Sequence, residues 1–133
     1  MNISTASTMC GLPVKTVRYY ADIGLVVPAA RSAAGYRVYD DETVRRLVFV
    51  RRAREFGFSI GECRELLDLY ADRRRSSADV KRIAARRLQQ IASKQRELQS
   101  LHDELAHLVE ACSGDDRPDC PIIDGLGRRH SGE

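Results

Sequence analysis

Along the first half of the chain, apolar residues fall into short runs of helical spacing, each closed by a glycine. Ser4 is placed to cap a first helix that runs to about Cys10 and stops at Gly11. Pro13 opens a second at a first-turn position, where its missing N–H costs little, and the run continues from about Val14 to Ile23 with Gly24 as its stop. On that helix Val14, Val17 and Ala21 share one face, and Lys15, Arg18 and Asp22 share another. Two short helices joined by a tight glycine turn, the second with a basic outer face, form a helix-turn-helix candidate. Leu25–Pro28 and Tyr36–Tyr39 then read as two short strands around the turn-prone segment 29–35, a hairpin placed as a wing. Asp41 is expected to cap a third helix, lined by Val44, Leu47, Val48 and Ala53 and ended by Gly57. Ser59 followed by Glu62 is a capping box for a fourth, with Ile60, Cys63, Leu67 and Tyr70 as its apolar stripe.

After the polar connector Arg73–Ser77, residues 79–111 contain neither glycine nor proline. As one helix this stretch spans about 50 Å, too long for a chain this small to bury on itself. Ala84, Ile91, Leu98, Leu105 and Cys112 recur at every seventh position. A second line, Leu88, Gln95, His102 and Val109, is half polar and is supplemented by Leu101 and Leu108. A lone solvated helix would leave this stripe in water, so the pattern predicts a two-helix coiled coil between two copies of the chain, with Gln95 and His102 fixing its register.

Composition narrows the class. The chain has 133 residues, 43% hydrophobic and 31% charged, with no Trp. No run approaches the roughly 20 apolar residues of a membrane span. Met1–Thr5 lacks the basic-then-apolar pattern of a signal segment, so a cytoplasmic location without membrane partners is expected. Net charge is +3, unevenly spread: residues 1–54 sum to +5 and the remainder to −2. A basic front on a near-neutral body points to a polyanion. On the helix-turn-helix reading, Lys15, Arg18 and Tyr19 are candidates for the recognition surface, and Tyr20, Arg31, Tyr36 and Arg37 for clamping phosphates. No phosphate-binding glycine loop, Ser/His/Asp set or HExxH sequence occurs, so an enzyme is not expected.

The remaining chemistry lies in cysteine. Cys10 and Cys63 fall on apolar faces and read as core. His102 and His107 are isolated helical residues, and His130 lies in a polar tail. Cys112 and Cys120 differ, because they flank an acidic loop directly after the long helix. Gly114 and Pro118 let that loop fold back so that both sulfurs can meet one ion, and Pro121 opens a short helix, Ile122–Leu126, with Cys120 at its N-terminus. Structural zinc sites use four N/S ligands, whereas thiolate selects Cu(I). Two thiolates with a monovalent ion keep one negative charge, which the helix dipole and Lys81 can offset. Asp115, Asp116 and Asp119 are poor Cu(I) ligands and read as solubilising.

Several runs together resemble one family. Val17-Arg18-Tyr19-Tyr20, Ile23-Gly24-Leu25, Gly35-Tyr36-Arg37-Val38-Tyr39 and Arg52-Ala53-Arg54-Glu55-Phe56-Gly57-Phe58 resemble the DNA-binding half of MerR-family regulators. Ser77-Ala78-Asp79-Val80-Lys81 and the segment from Cys112 to Asp124 are similar to the copper-efflux (CueR/HmrR-like) members. The resemblance implies a mainly α fold and a homodimer built on an antiparallel coiled coil, with each metal loop near the partner subunit. It implies that Cys112 and Cys120 hold Cu(I) in linear two-coordination. Divalent-metal members place a cysteine where this chain has Ser77, which makes Ser77, with Lys81, a residue beside the metal rather than a ligand. Ag(I) and Au(I) share the preference for linear thiolate coordination and stay open.

The expected organisation is a winged helix-turn-helix domain with its helical connector over residues 1–75, a dimerisation helix over 76–111, a metal-binding loop and short helix over 112–126, and a disordered tail over 127–133. The expected function is a Cu(I)-responsive activator that binds double-stranded promoter DNA as a dimer. It would reach RNA polymerase indirectly, by distorting the promoter of copper-efflux genes. A same-fold regulator of a divalent metal or of thiol oxidation, and a cytosolic copper buffer, are the alternatives.

Overall fold

Asn2, not Ser4, opens the first helix: its side chain accepts a hydrogen bond from Thr5 N at 2.8 Å. Both residue types cap well, and Asn2 stands where the backbone is still extended. The computed structural model describes residues 1–128. Its elements in order are α1 (Ile3–Cys10), α2 (Val14–Asp22), β1 (Ala30–Arg31), β2 (Arg37–Val38), α3 (Asp41–Glu55), α4 (Ile60–Ala71), α5 (Ser77–Ala111) and α6 (Pro121–Gly127). The chain divides into two compact units, Met1–Arg87 and the part from Leu88 onward, and α5 is the element that enters both. The fold is therefore mainly α with one small sheet, as the pattern predicts. Gly127 still belongs to α6; the rest of the expected tail, from Arg129 and including His130, lies outside the described residues.

In the first unit Cys10, Val17, Tyr39, Leu47, Val50 and Cys63 are completely buried, and Leu67, Val26 and Ile83 nearly so. Ile83 sits in the second turn of α5, so the start of that helix is part of this core. The wing is a two-stranded antiparallel sheet in which Ala30 faces Val38 and Arg31 faces Arg37. Its first strand is not Leu25–Pro28. Leu25 N and Val26 N both donate to Tyr20 O, at 2.9 and 3.2 Å, so that backbone finishes α2 while the two side chains enter the core. The β propensity of the run loses to the unsatisfied carbonyls of a short helix. Asp40, not Asp41, caps α3, accepting from Thr43 N and from its hydroxyl; the Thr43 hydroxyl bond, first, holds the Asp40 carboxyl below its usual range. The Ser59/Glu62 capping box forms as expected, at 3.0 and 2.9 Å. Cys63, Leu66 and Leu67 make the buried side of α4, while Tyr70 remains partly exposed with its ring 4.9 Å from that of Phe49.

Arginines close the C-termini of these helices. Arg51 Nη1 donates to Cys10 O at 3.1 Å, closing α1. Arg64 bonds both Ile23 O and Gly24 O at 3.1 Å, beyond α2. Arg87 Nε bonds Phe56 O at 2.6 Å, at the end of α3, and Arg54 Nη1 bonds Phe58 O at 2.7 Å. Arg51, Arg64 and Arg87 supply donors to carbonyls at or just beyond helix C-termini and place positive charge at negative dipole ends, while Arg54 ties down the connector before α4.

In the second unit α6 folds back on the last turns of α5. Gly125 lies against Leu108 so closely that a Cβ there would stand 2.7 Å from Leu108 Cδ2. Leu88, Leu98, Leu101, Leu105 and Val109 stay about half exposed or more along α5, as do Ile123 and Leu126 on α6. No helix among the described residues is long and apolar enough to cross a membrane.

Two glycines of the first unit provide a matched test. Gly57 has φ +85°, and a Cβ there would collide with the Arg87 guanidinium. Gly57→Ala is expected to destabilise the protein by about 1–3 kcal/mol. Gly61, on α4 without positive φ and with nothing closer than 3.8 Å, is expected to gain about 0.4–1 kcal/mol on change to Ala. Denaturant unfolding of the two variants checks the opposite signs.

Candidate nucleic-acid interface and metal loop

The buried face of α2 is set by Val17 and Tyr20, which leaves Lys15, Arg18 and Tyr19 exposed on the outside. Arg18 meets the wing across a concavity of about 560 Å³, lined also by Asn2, Ile3, Arg31, Gly35, Tyr36 and Arg37. The wing turn is closed by Ser32 N donating to Tyr36 O at 2.7 Å and Gly35 N donating to Ser32 O at 2.9 Å, with Gly35 at φ +86°. Arg31 Nη1 bonds Gly35 O at 3.0 Å, which holds its side chain along the turn, and Tyr36 projects with 76% of its surface exposed. The structure thus brings Arg18, Arg31, Tyr36 and Arg37 to one hollow, with Lys15 and Tyr19 on the same helix as Arg18.

Tyr20 does not join them. It is 6% exposed, and burial, opposed by Arg54, raises its phenol pKa. Its spacing of three from Val17 is the core face of α2, so its ring packs behind the exposed Arg18 and Tyr19.

Arg37 is present but committed. Its Nη2 lies 2.6 Å from Asp22 Oδ1, an ion pair that joins the end of α2 to β2. The hydrogen bond to Asp22, first, raises the Arg37 pKa, and the guanidinium also lies beside the buried Tyr39 hydroxyl. Burial in turn pushes the Tyr39 phenol up. Sequence reasoning missed Asp22 as a partner because the two residues lie 15 positions apart on different elements. Lys15 and Arg18, by contrast, have no ion-pair partner among the described residues. The basic front therefore separates into side chains free to meet a polyanion and side chains such as Arg51 and Arg54 that bond backbone carbonyls.

The loop of the second unit starts where α5 stops. Cys112 N donates to Val109 O at 3.2 Å, so the first cysteine is fixed by the end of the helix. Cys120 is the N-cap of α6, followed by Pro121, and its carbonyl accepts from Asp124 N at 3.0 Å. Both thiols are free and half-buried, whereas Cys10 and Cys63 are fully buried. Burial pushes the Cys63 thiol up, away from thiolate chemistry. Between Cys112 and Cys120, Asp115 turns inward on the loop itself. It accepts from Arg117 N and Nε at 2.9 Å and from Nη2 at 2.8 Å, and those bonds hold its carboxyl below the usual range. Among the described residues no three His, Cys, Asp or Glu gather as a metal-holding group. The loop carries two sulfurs, and one of its three carboxylates, that of Asp115, is engaged by Arg117; sulfur is the donor type that suits a soft ion. Ser77 opens α5, and Lys81 is exposed on its second turn; both belong to the first unit.

Comparison with known proteins gives these two arrangements a common setting. Residues 1–69 match the family model described as MerR HTH family regulatory protein, and residues 44–108 the one described as MerR, DNA binding. The HTH-type transcriptional regulator HmrR of Rhizobium leguminosarum bv. viciae is 54% identical over 126 residues, covering 95% of this chain and 97% of its own. The HTH-type transcriptional regulator CueR of Salmonella typhimurium is 46% identical, covering 95% and 91%. Among solved structures, the transcription regulator PbrR691 from Ralstonia metallidurans CH34, in complex with lead(II), superposes with a TM-score of 0.80 at 31% identity, over 95% of this chain and 98% of that one. These relatives are regulators of transcription, not enzymes. A helix pair beside a small wing, followed by a long helix, is the fold the chain shares with that solved structure, and the chain belongs to the MerR family of helix-turn-helix transcriptional regulators.

Proposed function

We propose that this regulator senses Cu(I) in the cytoplasm and activates copper-efflux or detoxification genes from their promoters. The observation that carries the metal assignment is the donor set. Cys112 at the end of α5 and Cys120 at the head of α6 are two accessible thiols, and Asp115 between them is engaged by Arg117. Two thiolates suit a soft monovalent ion and leave a divalent one short of ligands. Ag(I) and Au(I) satisfy the same reasoning and are the nearest alternatives. When bound, the ion would tie the end of α5 to the start of α6. Gly125 already packs on Leu108, so the residues that would respond to that tie are in contact with the helix below them. Ser77 and Lys81 are proposed to lie beside the loop of the partner subunit, Ser77 withholding a third thiolate and Lys81 supplying positive charge.

The regulator is proposed to act as a homodimer. The exposed stripe of Leu88, Leu98, Leu101, Leu105 and Val109 follows heptad spacing and is apolar surface that a second copy would cover in an antiparallel coiled coil. A two-fold dimer presents two copies of α2 to a pseudo-palindromic operator, one per major groove. Lys15, Arg18 and Tyr19 would face the groove, and Arg31, Tyr36 and Arg37 the sugar–phosphate backbone, with Asp22 setting the pose of Arg37. Activation would proceed by indirect readout: the metal-bound dimer favours a bent, untwisted promoter that RNA polymerase can engage, and the deformation costs a few kcal/mol that the two protein states share differently. The copper-buffer alternative assigns no role to the recognition helix. A divalent-metal or thiol-oxidation sensor of the same fold remains the competing reading of the cysteine pair.

Metal titration separates these readings. Cu(I) is expected to bind one ion per Cys112/Cys120 pair, with Zn(II) far weaker; tight stoichiometric Zn(II) binding would favour the divalent reading. Cys112→Ser or Cys120→Ser is expected to abolish copper induction of a promoter reporter while leaving operator affinity intact, and retained induction in either variant would contradict the site. Arg18→Ala is expected to weaken operator binding in a gel shift by roughly one to two orders of magnitude, the range of a lost charge-assisted contact to DNA; unchanged affinity would remove Arg18 from the interface.

A further inference from the structure

The recognition helix is short, and its C-terminal end is held from two directions. On the wing side, Asp22 pairs with Arg37 at 2.6 Å. On the other side, Arg64 of α4 reaches across 40 positions of sequence and places its fork on two successive carbonyls, Nη1 on Gly24 O and Nη2 on Ile23 O, both at 3.1 Å. Three other carbonyls at this end are used within the segment: Tyr20 O accepts from Leu25 N and Val26 N, Tyr19 O from Ile23 N, and Ala21 O from Gly24 N. Among the described residues Arg64 forms no ion pair with an acid, and its charge is directed at the negative end of α2. The element it extends from is itself fixed. α4 begins with a closed capping box, and Glu62 of that box also lies 3.6 Å from Arg86 of α5.

A planar guanidinium donating two bonds to consecutive carbonyls constrains direction as well as distance, which a single point charge does not. Base reading tolerates little misplacement of the side chains that perform it. We propose that Arg64 is a positioning residue for DNA recognition: it fixes the orientation of α2 relative to α4, and so links the pose of Arg18 and Tyr19 to the helices on which the start of α5 rests. This inference rests on family membership and does not depend on which ion the loop binds.

The test measures operator affinity against salt for Arg64→Met and Arg64→Lys in the full-length protein, with a duplex selected by the wild-type protein as probe. Arg64→Met is expected to lower affinity roughly tenfold, the effect of losing a charge-assisted bidentate contact. The slope of log affinity against log salt should not change, because no phosphate contact is lost. Arg64→Lys, which keeps the charge without the fork, should recover only part of the loss. Hydrogen exchange should quicken at the amides of Ile23–Val26 and stay unchanged in α3. A slope shallower by about one would make Arg64 a phosphate ligand and overturn the proposal. Full recovery with Lys would reduce its role to charge, unchanged affinity in Arg64→Met would remove the role, and faster exchange throughout α3 would make it a general stabiliser; each contradicts the proposal. If Arg64→Met does not fold, Arg64→Lys alone decides, by affinity, slope and exchange together.

Discussion

Short helices are dominated by their ends, and that constraint shapes the DNA-binding unit. An α-helix leaves four N–H groups and four carbonyls without internal partners, so in the eight-residue α1 the unsatisfied groups are as numerous as the satisfied ones, and in the nine-residue α2 nearly so. The N-termini of α1, α3 and α4 are closed locally, by Asn2, Asp40 and Ser59. The C-termini are closed at a distance, by Arg51, Arg64 and Arg87 reaching from other helices. These bonds do what a larger core would do in a bigger domain: they fix helices against each other through their ends. The surface that remains, Lys15, Arg18 and Tyr19 on α2 with Arg31 and Tyr36 on the wing, is presented by a frame held in this way.

The same constraint explains which features were legible in the sequence. Local signals were: the Ser59/Glu62 box, the stops at Gly11 and Gly57, and the unbroken run that becomes α5 all lie within a few residues of what they control. Features that depend on distant partners were not. Leu25–Pro28 has strand composition, but Tyr20 O captures two of its amides, and only the folded α2 presents that carbonyl. Arg51, Arg64 and Arg87 find their carbonyls 41, 40 and 31 positions away, so a charge count could not distinguish them from residues that face a polyanion. Tyr20 lies three positions from Val17, the spacing of a core face, and is buried with it.

In the second unit the informative feature is restraint in the ligand set. Loops rich in Asp are commonly hard-cation sites, and this one contains Asp115, Asp116 and Asp119 between its cysteines. Asp115, however, is turned onto Arg117 by both of its oxygens. The sequence carried the cysteine spacing, and the fold adds the fate of one carboxylate, Asp115, which Arg117 engages. The position of Cys120 at the head of α6, with Gly125 seated on Leu108, connects whatever the sulfurs bind to the exposed face of α5 on which the proposed dimer is built.

The account of the metal loop stands or falls on the number and kind of atoms around the ion. X-ray absorption spectroscopy at the copper edge, on protein loaded with one Cu(I) per chain, reads both directly. The account predicts two sulfur neighbours in a digonal arrangement, lost on replacing either Cys112 or Cys120. A three- or four-coordinate ion with nitrogen or oxygen donors would contradict it.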